Sequence, residues 1–188
     1  MSASTTEEKK EFNQESFIDY YPGLMNGADK TLLDLGMGEG PLVLPLVDKG
    51  WAITGYDKNM KSVAYLERCG VNAKVQDLNV LDYQHLLVSD LQKTTNVVMI
   101  NVAPFLEQRA LAYLLFNLMD HAQPNTVFMF INAYLPKIKS VDACQRLLAL
   151  PQNYVTSFFA PRTDMAILKH EVTNYEGIHN DVVFFKKY

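Results

Sequence analysis

Gly36, Gly38 and Gly40 alternate behind an apolar run in which Asp34 is the one carboxylate, in the stretch LLDLGMGEG from Leu32 to Gly40. Glycine lets another group come close to the main chain. Four occupants fit that description: a nicotinamide dinucleotide, a nucleoside triphosphate, S-adenosylmethionine, or no ligand and only a tight turn. A triphosphate cradle of the G-x-x-x-x-G-K-[ST] type needs a Lys and a Ser or Thr after its last glycine, and neither follows Gly40. A dinucleotide fingerprint, G-x-G-x-x-G, sets its third glycine three residues beyond the second, and these three alternate. An acid at Asp34 would repel a pyrophosphate and attract the ammonium of an amino acid.

Two further acids sharpen the choice. Asp57, in GYDKN, lies 17 residues after Gly40, where a carboxylate can accept hydrogen bonds from both ribose hydroxyls. Lys58 follows, with an aliphatic stem able to lie on a purine face. Asp77, in QDLN, can accept from an exocyclic amine such as that of adenine. An amino group, a ribose and an adenine together describe S-adenosylmethionine, which is the cofactor expected here.

The elements that must position these residues follow from the apolar pattern. Thr31 to Leu35, Ala52 to Tyr56, Ala73 to Gln76, Asn96 to Ile100 and Thr126 to Ile131 read as short buried strands. Between them the spacing predicts helices over Pro41 to Val47 with its proline in the first turn, Met60 to Cys69 capped by Asn59, His85 to Leu91, and Leu106 to His121. Such alternation calls for parallel strands joined by right-handed crossovers, with helices on both faces of the sheet. After a predicted helix over Val141 to Leu150, the tail HEVTNYEGIHNDVVFFKK reads as two strands joined around Gly177 to Asn180, which adds an antiparallel hairpin. Phe12, Phe17, Ile18 and Tyr21 predict a short amphipathic helix that stops at Pro22-Gly23. The expected organisation is an N-terminal tail and helical lid over residues 1–29, followed by one domain over 30–188.

Composition bounds the function. The chain has 188 residues, 48% hydrophobic, enough for one sizeable core. A net charge of -4 offers no basic stripe, so no nucleic-acid partner is expected. No apolar run is long enough to span a bilayer, and the start is polar and acidic, so a cytoplasmic location away from membranes is expected. Cys69 and Cys144 stand far apart without metal-type spacing, so neither a disulfide nor a metal site is indicated.

LLDLGMGEG, GYDKN and QDLN taken together resemble the first three motifs of class I S-adenosylmethionine-dependent methyltransferases. DKNxxS, from Asp57 to Ser62, and DLN, from Asp77 to Asn79, resemble the tellurite-resistance methyltransferases in particular. The likeness runs from about Lys30 to Leu81. It implies a Rossmann-like α/β fold with a mostly parallel seven-stranded sheet and a C-terminal antiparallel hairpin. It also implies that Gly36, Met37 and Gly38 approach the methionine part, that Asp57 holds the ribose, that Asp77 and Leu78 contact the adenine, and that Asn101 sits beside the sulfonium. Members of that group carry a longer tail with a His-Arg pair before the last strand. Here only EGIHN separates Tyr175 from Asp181, so the family's substrate-side residues are not carried over.

Methyl transfer from a sulfonium needs donor and acceptor held in line, and a general base only when the nucleophile carries a proton. The stretch Asn101-Val102-Ala103-Pro104-Phe105 is the expected floor of the site; Asn101, Tyr21 and His170 are the candidate catalytic residues, with Tyr20 and Tyr134 also candidates for its mouth. Each has a plainer alternative: Asn101 as a loop brace, the tyrosines as a packed helix face, His170 as a structural residue. The expected activity is methyl transfer to a small molecule such as a thiol, a chalcogen oxyanion or an amine, by a monomer or homodimer. The alternative from another class is a sensor or complex subunit that binds S-adenosylmethionine without transferring methyl.

Overall fold

The structure, a computed structural model, describes Met25 and residues 29–134, 153–175 and 178–188. Short apolar runs form β1 (Thr31–Leu35), β2 (Ala52–Asp57), β3 (Asn72–Val75), β4 (Asn96–Ile100) and β5 (Val127–Tyr134). The helices are α1 (Val43–Asp48), α2 (Met60–Arg68), α3 (Gln84–Leu91), α4 (Gln108–His121) and α5 (Tyr154–Phe159), with a 3-10 turn over Ala103–Phe105. Two longer strands, β6 (Met165–Tyr175) and β7 (Ile178–Lys187), close the chain. Among the described residues the strands make one seven-stranded sheet in the order β3-β2-β1-β4-β5-β7-β6. Strands β1 to β5 pair in parallel, and β7 enters antiparallel between β5 and β6.

The sequence pattern places the elements well and their ends less well. Helix α1 begins at Val43 and not at Pro41, and it is Pro45 that occupies its first turn, where a missing N–H leaves no intrahelical bond unmade. Asn59 caps α2 as expected, its side chain accepting from Lys61 N at 3.0 Å. The closing strands are longer than their apolar runs: β6 starts at Met165, and β7 begins at Ile178, so that residues 178–180, expected in the turn, lie in a strand, with Asn180 paired to Thr173. A polar residue can occupy a strand when its neighbours supply the ladder, so composition alone misplaced the turn. Helix α5 was not anticipated, and the helix expected over Val141 to Leu150 lies outside the described residues, as does the N-terminal helix around Tyr21.

Strand alternation divides the core between the two faces of the sheet. Leu33, Leu35, Val97, Met99, Phe128, Phe130 and Phe185 pack with α3, α4 and α5, where Phe159 stacks on Phe185 at 4.3 Å between ring centroids. Leu32, Ile53, Val98, Met129 and Phe184 pack with α1 and α2. Among the described residues no helix is long and apolar enough to cross a membrane.

One polar network is built into the first face. Asp90 of α3 is buried and accepts from the Tyr56 hydroxyl at 2.5 Å and from Lys74 Nζ at 2.6 Å. Burial and Asp90 together push the Tyr56 phenol well above its ordinary range, so it stays a donor. Replacing Asp90 with Ala leaves a buried hydroxyl without an acceptor and an ammonium without its anion. Urea unfolding is expected to show a loss of roughly 2 to 4 kcal/mol.

Candidate functional site

The loops after β1, β2, β3 and β4 meet at the carboxyl ends of these strands, where the sheet order reverses around β1 and open α/β sheets leave a crevice. A cleft of about 230 Å³ lies there, lined by Gly36 from the first loop, Asp57 and Lys58 from the second, Gln76 to Asn79 from the third, and Ile100 to Val102 with Phe105 and Leu106 from the fourth.

The first wall is main chain. Gly36 N and Met37 N both donate to the Tyr56 carbonyl, at 2.8 and 3.2 Å, which turns the loop sharply off β1. Gly36 has φ +83°, and a Cβ there would collide with the Val102 side chain. Only glycine lets these two loops close on each other. Met37 turns its side chain away from the cleft and buries it where a Cβ on Gly55 would stand.

Asp57 braces the same loop. Its Oδ2 accepts from Gly38 N and its Oδ1 from Asn59 N, both at 2.8 Å. A carboxylate has about four lone-pair sites, so it keeps acceptor capacity toward the cleft. Asp77 is oriented in the same manner, its Oδ1 accepting from Asn79 N at 2.9 Å. Asp34, on β1 beneath the loop, is 4% exposed; burial first and the charge of Asp57 second raise its carboxyl to about 7. Lys58 is the only basic side chain among the described residues that line the cleft. An acidic crevice of this shape suits a cationic ligand and disfavours a phosphate. Asn101 closes the far end; its N–H donates to the Ile131 carbonyl at 2.7 Å, and it holds φ +55°, a conformation that Asn adopts more readily than most residues.

Of the cofactor candidates named from the sequence, Gly36, Asp57, Lys58, Asp77, Leu78 and Asn101 line this cleft together. Asp34, Met37 and Gly38 are not among the lining residues: Met37 N and Gly38 N hold the loop through Tyr56 and Asp57, and Asp34 is buried on β1. Sequence reasoning missed Gln76, Asn79, Ile100 and Leu106 as lining residues; of the stretch Asn101 to Phe105, expected as the floor of the site, Asn101, Val102 and Phe105 line the cleft, while Ala103 and Pro104 are buried in the 3-10 turn. His170 lies elsewhere, on β6 and three strands from β4, with Nε2 2.6 Å from Asp181 Oδ1. Tyr134 ends β5, opposite His179. Tyr20 and Tyr21 lie outside the described residues.

The profile of the tellurite resistance protein TehB family matches residues 27–141. No curated protein sequence matches the chain. Among solved structures, TehB from Haemophilus influenzae superposes with a TM-score of 0.64 at 17% identity, over 93% of this chain and 67% of that one. Magnesium protoporphyrin IX methyltransferase from Synechocystis, with bound S-adenosylmethionine, gives 0.63 at 15% identity over 93% and 76%. The glycopeptide N-methyltransferase MtfA, complexed with S-adenosylmethionine, gives 0.66 at 14% identity over the whole of both chains. At these identities the likeness establishes the fold, the Rossmann-like one of class I methyltransferases.

Proposed function

This chain belongs to the tellurite resistance protein TehB family, and on that premise we propose that it binds S-adenosylmethionine in the cleft and transfers its methyl group to a small-molecule acceptor. The observation that carries this reading is the arrangement of Asp34, Asp57 and Asp77 at or behind the ends of three adjacent strands, around a glycine loop with no phosphate-binding lysine.

The residues present fit such a cofactor. Asp57 retains lone pairs for the ribose hydroxyls, Asp77 for the adenine amine, and Leu78 with Phe105 offers apolar walls to the ring. The Gly36 main chain, bare of any Cβ, admits the methionine part, and Asp34 offers a carboxylate to its ammonium. When bound, S-adenosylmethionine would supply an activated methyl group, which an acceptor lone pair takes in line as the C–S bond breaks and the neutral thioether, S-adenosylhomocysteine, leaves. The chain's part is to hold that methyl toward the acceptor beside Asn101 and to keep water away, which can account for much of the acceleration. Tyr21 is the proposed acceptor-side residue.

Incubation with methyl-labelled S-adenosylmethionine and a panel of thiols, selenite, tellurite and small amines tests the activity. Transfer of label to any of them supports an enzyme. Tight binding of the cofactor with no labelled product supports the sensor or subunit instead, and no binding removes both. Asp57→Ala is expected to weaken cofactor binding roughly 10- to 100-fold by calorimetry, through loss of the ribose bonds and of the Gly38 brace. Unchanged affinity would show that the ribose is held by other groups.

A further inference from the structure

Helix α4 starts without a cap of its own. Its N-cap residue, Glu107, makes no side-chain capping bond. The residue three positions on, Ala110, has no side chain that could reach back to the N-cap amide as the second partner of a capping box does. That amide is satisfied from a distant loop: Glu107 N donates to Asn79 Oδ1 at 2.7 Å, across 28 residues of sequence. The same side chain donates from Nδ2 to the Phe105 carbonyl at 3.4 Å. The main chain of Asn79 meanwhile donates to Asp77 Oδ1 at 2.9 Å. One amide group therefore ties the loop bearing Asp77 and Leu78 to the turn bearing Phe105 and Leu106, and all of these residues line the cleft. Phe105 is 58% exposed, so core packing does not hold its ring in place; the anchored carbonyl and the anchored helix start do.

We propose that Asn79 is a positioning residue that sets the spacing between the Asp77–Leu78 wall and the Phe105–Leu106 wall, and with it the fit of the cleft to a flat purine. The assignment rests on the reading of this cleft as an S-adenosylmethionine site. An amide is suited to the task because it presents an acceptor and a donor at one end. Aspartate at this position keeps the shorter bond, to Glu107 N, and loses the longer one; alanine loses both.

The test is calorimetric titration of S-adenosylhomocysteine into the full chain, its Asn79→Ala variant and its Asn79→Asp variant, with hydrogen exchange followed at the Glu107 amide in the free proteins. If the unsubstituted chain fails to bind, the cofactor reading falls, while exchange at Glu107 still reports the brace. Given binding, Asn79→Ala is expected to weaken it roughly tenfold and to speed exchange at Glu107, and Asn79→Asp to stay within about threefold with that amide still protected. With an acceptor in hand, the alanine variant raises the KM for cofactor far more than it lowers kcat. Faster exchange with unchanged affinity would make Asn79 a helix cap and nothing more, and overturn the proposal. So would equal weakening in both variants. Should Asn79→Ala fail to fold, Asn79→Ser, whose shorter side chain falls short of Glu107 N, takes its place against the same outcomes.

Discussion

Asp34→Asn is expected to bind S-adenosylmethionine about 100-fold more weakly than the parent at pH 8, while its cofactor-free form melts at a higher temperature there. Both effects come from one buried carboxyl. Burial, and then the charge of Asp57, raise it from an ordinary 3.8 to about 7. Between those two values the folded protein keeps a proton that the unfolded chain has released, so stability falls as pH rises through the window. The full loss, present once Asp34 is ionised above pH 7, is up to about 4 kcal/mol. Asparagine has no proton to lose. Its advantage in Tm should therefore be greatest above pH 7 and vanish near pH 4. Binding runs the other way. The ligand's ammonium stays protonated below about pH 8, so the parent's affinity drops as pH falls below 7 and Asp34 takes up its proton, whereas the variant's affinity is flat there. Calorimetry and thermal melts from pH 4 to 8 measure both; an Asn variant with parental affinity would place the ammonium on another partner.

Gly36→Ala should damage fold and cleft together, with a loss of roughly 2 to 4 kcal/mol in stability and loss of measurable cofactor binding. The backbone at φ +83° disfavours any side chain, and the new Cβ would collide with the side chain of Val102, itself a residue of the cleft lining. Gly38 is the internal control. It also has positive φ, +55°, yet a Cβ there meets nothing within 4 Å, so Gly38→Ala should show backbone strain alone, about 1 kcal/mol. Adding Val102→Ala to Gly36→Ala should restore part of both losses, a coupling that a double-mutant cycle reads directly. Equal effects at the two glycines, with no rescue, would show that loop strain governs the site and that contact with Val102 does not.

The candidate site was half legible in the sequence. Asp57 and Asp77 announced themselves because each follows closely on a predicted strand at its carboxyl end, where open α/β sheets bind their ligands. Lys58 and Leu78 came with them as adjacent residues. What Asn79 and Val102 do was not legible, since each acts on a residue far away in sequence: Asn79 on Glu107, Val102 on Gly36. Met37 was legible as part of the loop, but which way its side chain turned was not. His170 looked as available as Asn101, and only the insertion of β7 beside β5 set it three strands from β4 and against Asp181.

Periodicity is local, because helix and strand repeat every 3.6 and 2 residues along one chain. The sequence by itself therefore determined the elements, their alternation, the glycine loop and the acids that follow the strands, and with these the class of ligand. Tertiary structure decided the rest: which loops face each other, that Asp34 is buried deeply enough to hold its proton near neutrality, and that one asparagine joins two walls of the cleft. These depend on the order of strands in the sheet and on the water excluded when they pack, and neither is encoded in any short stretch of chain.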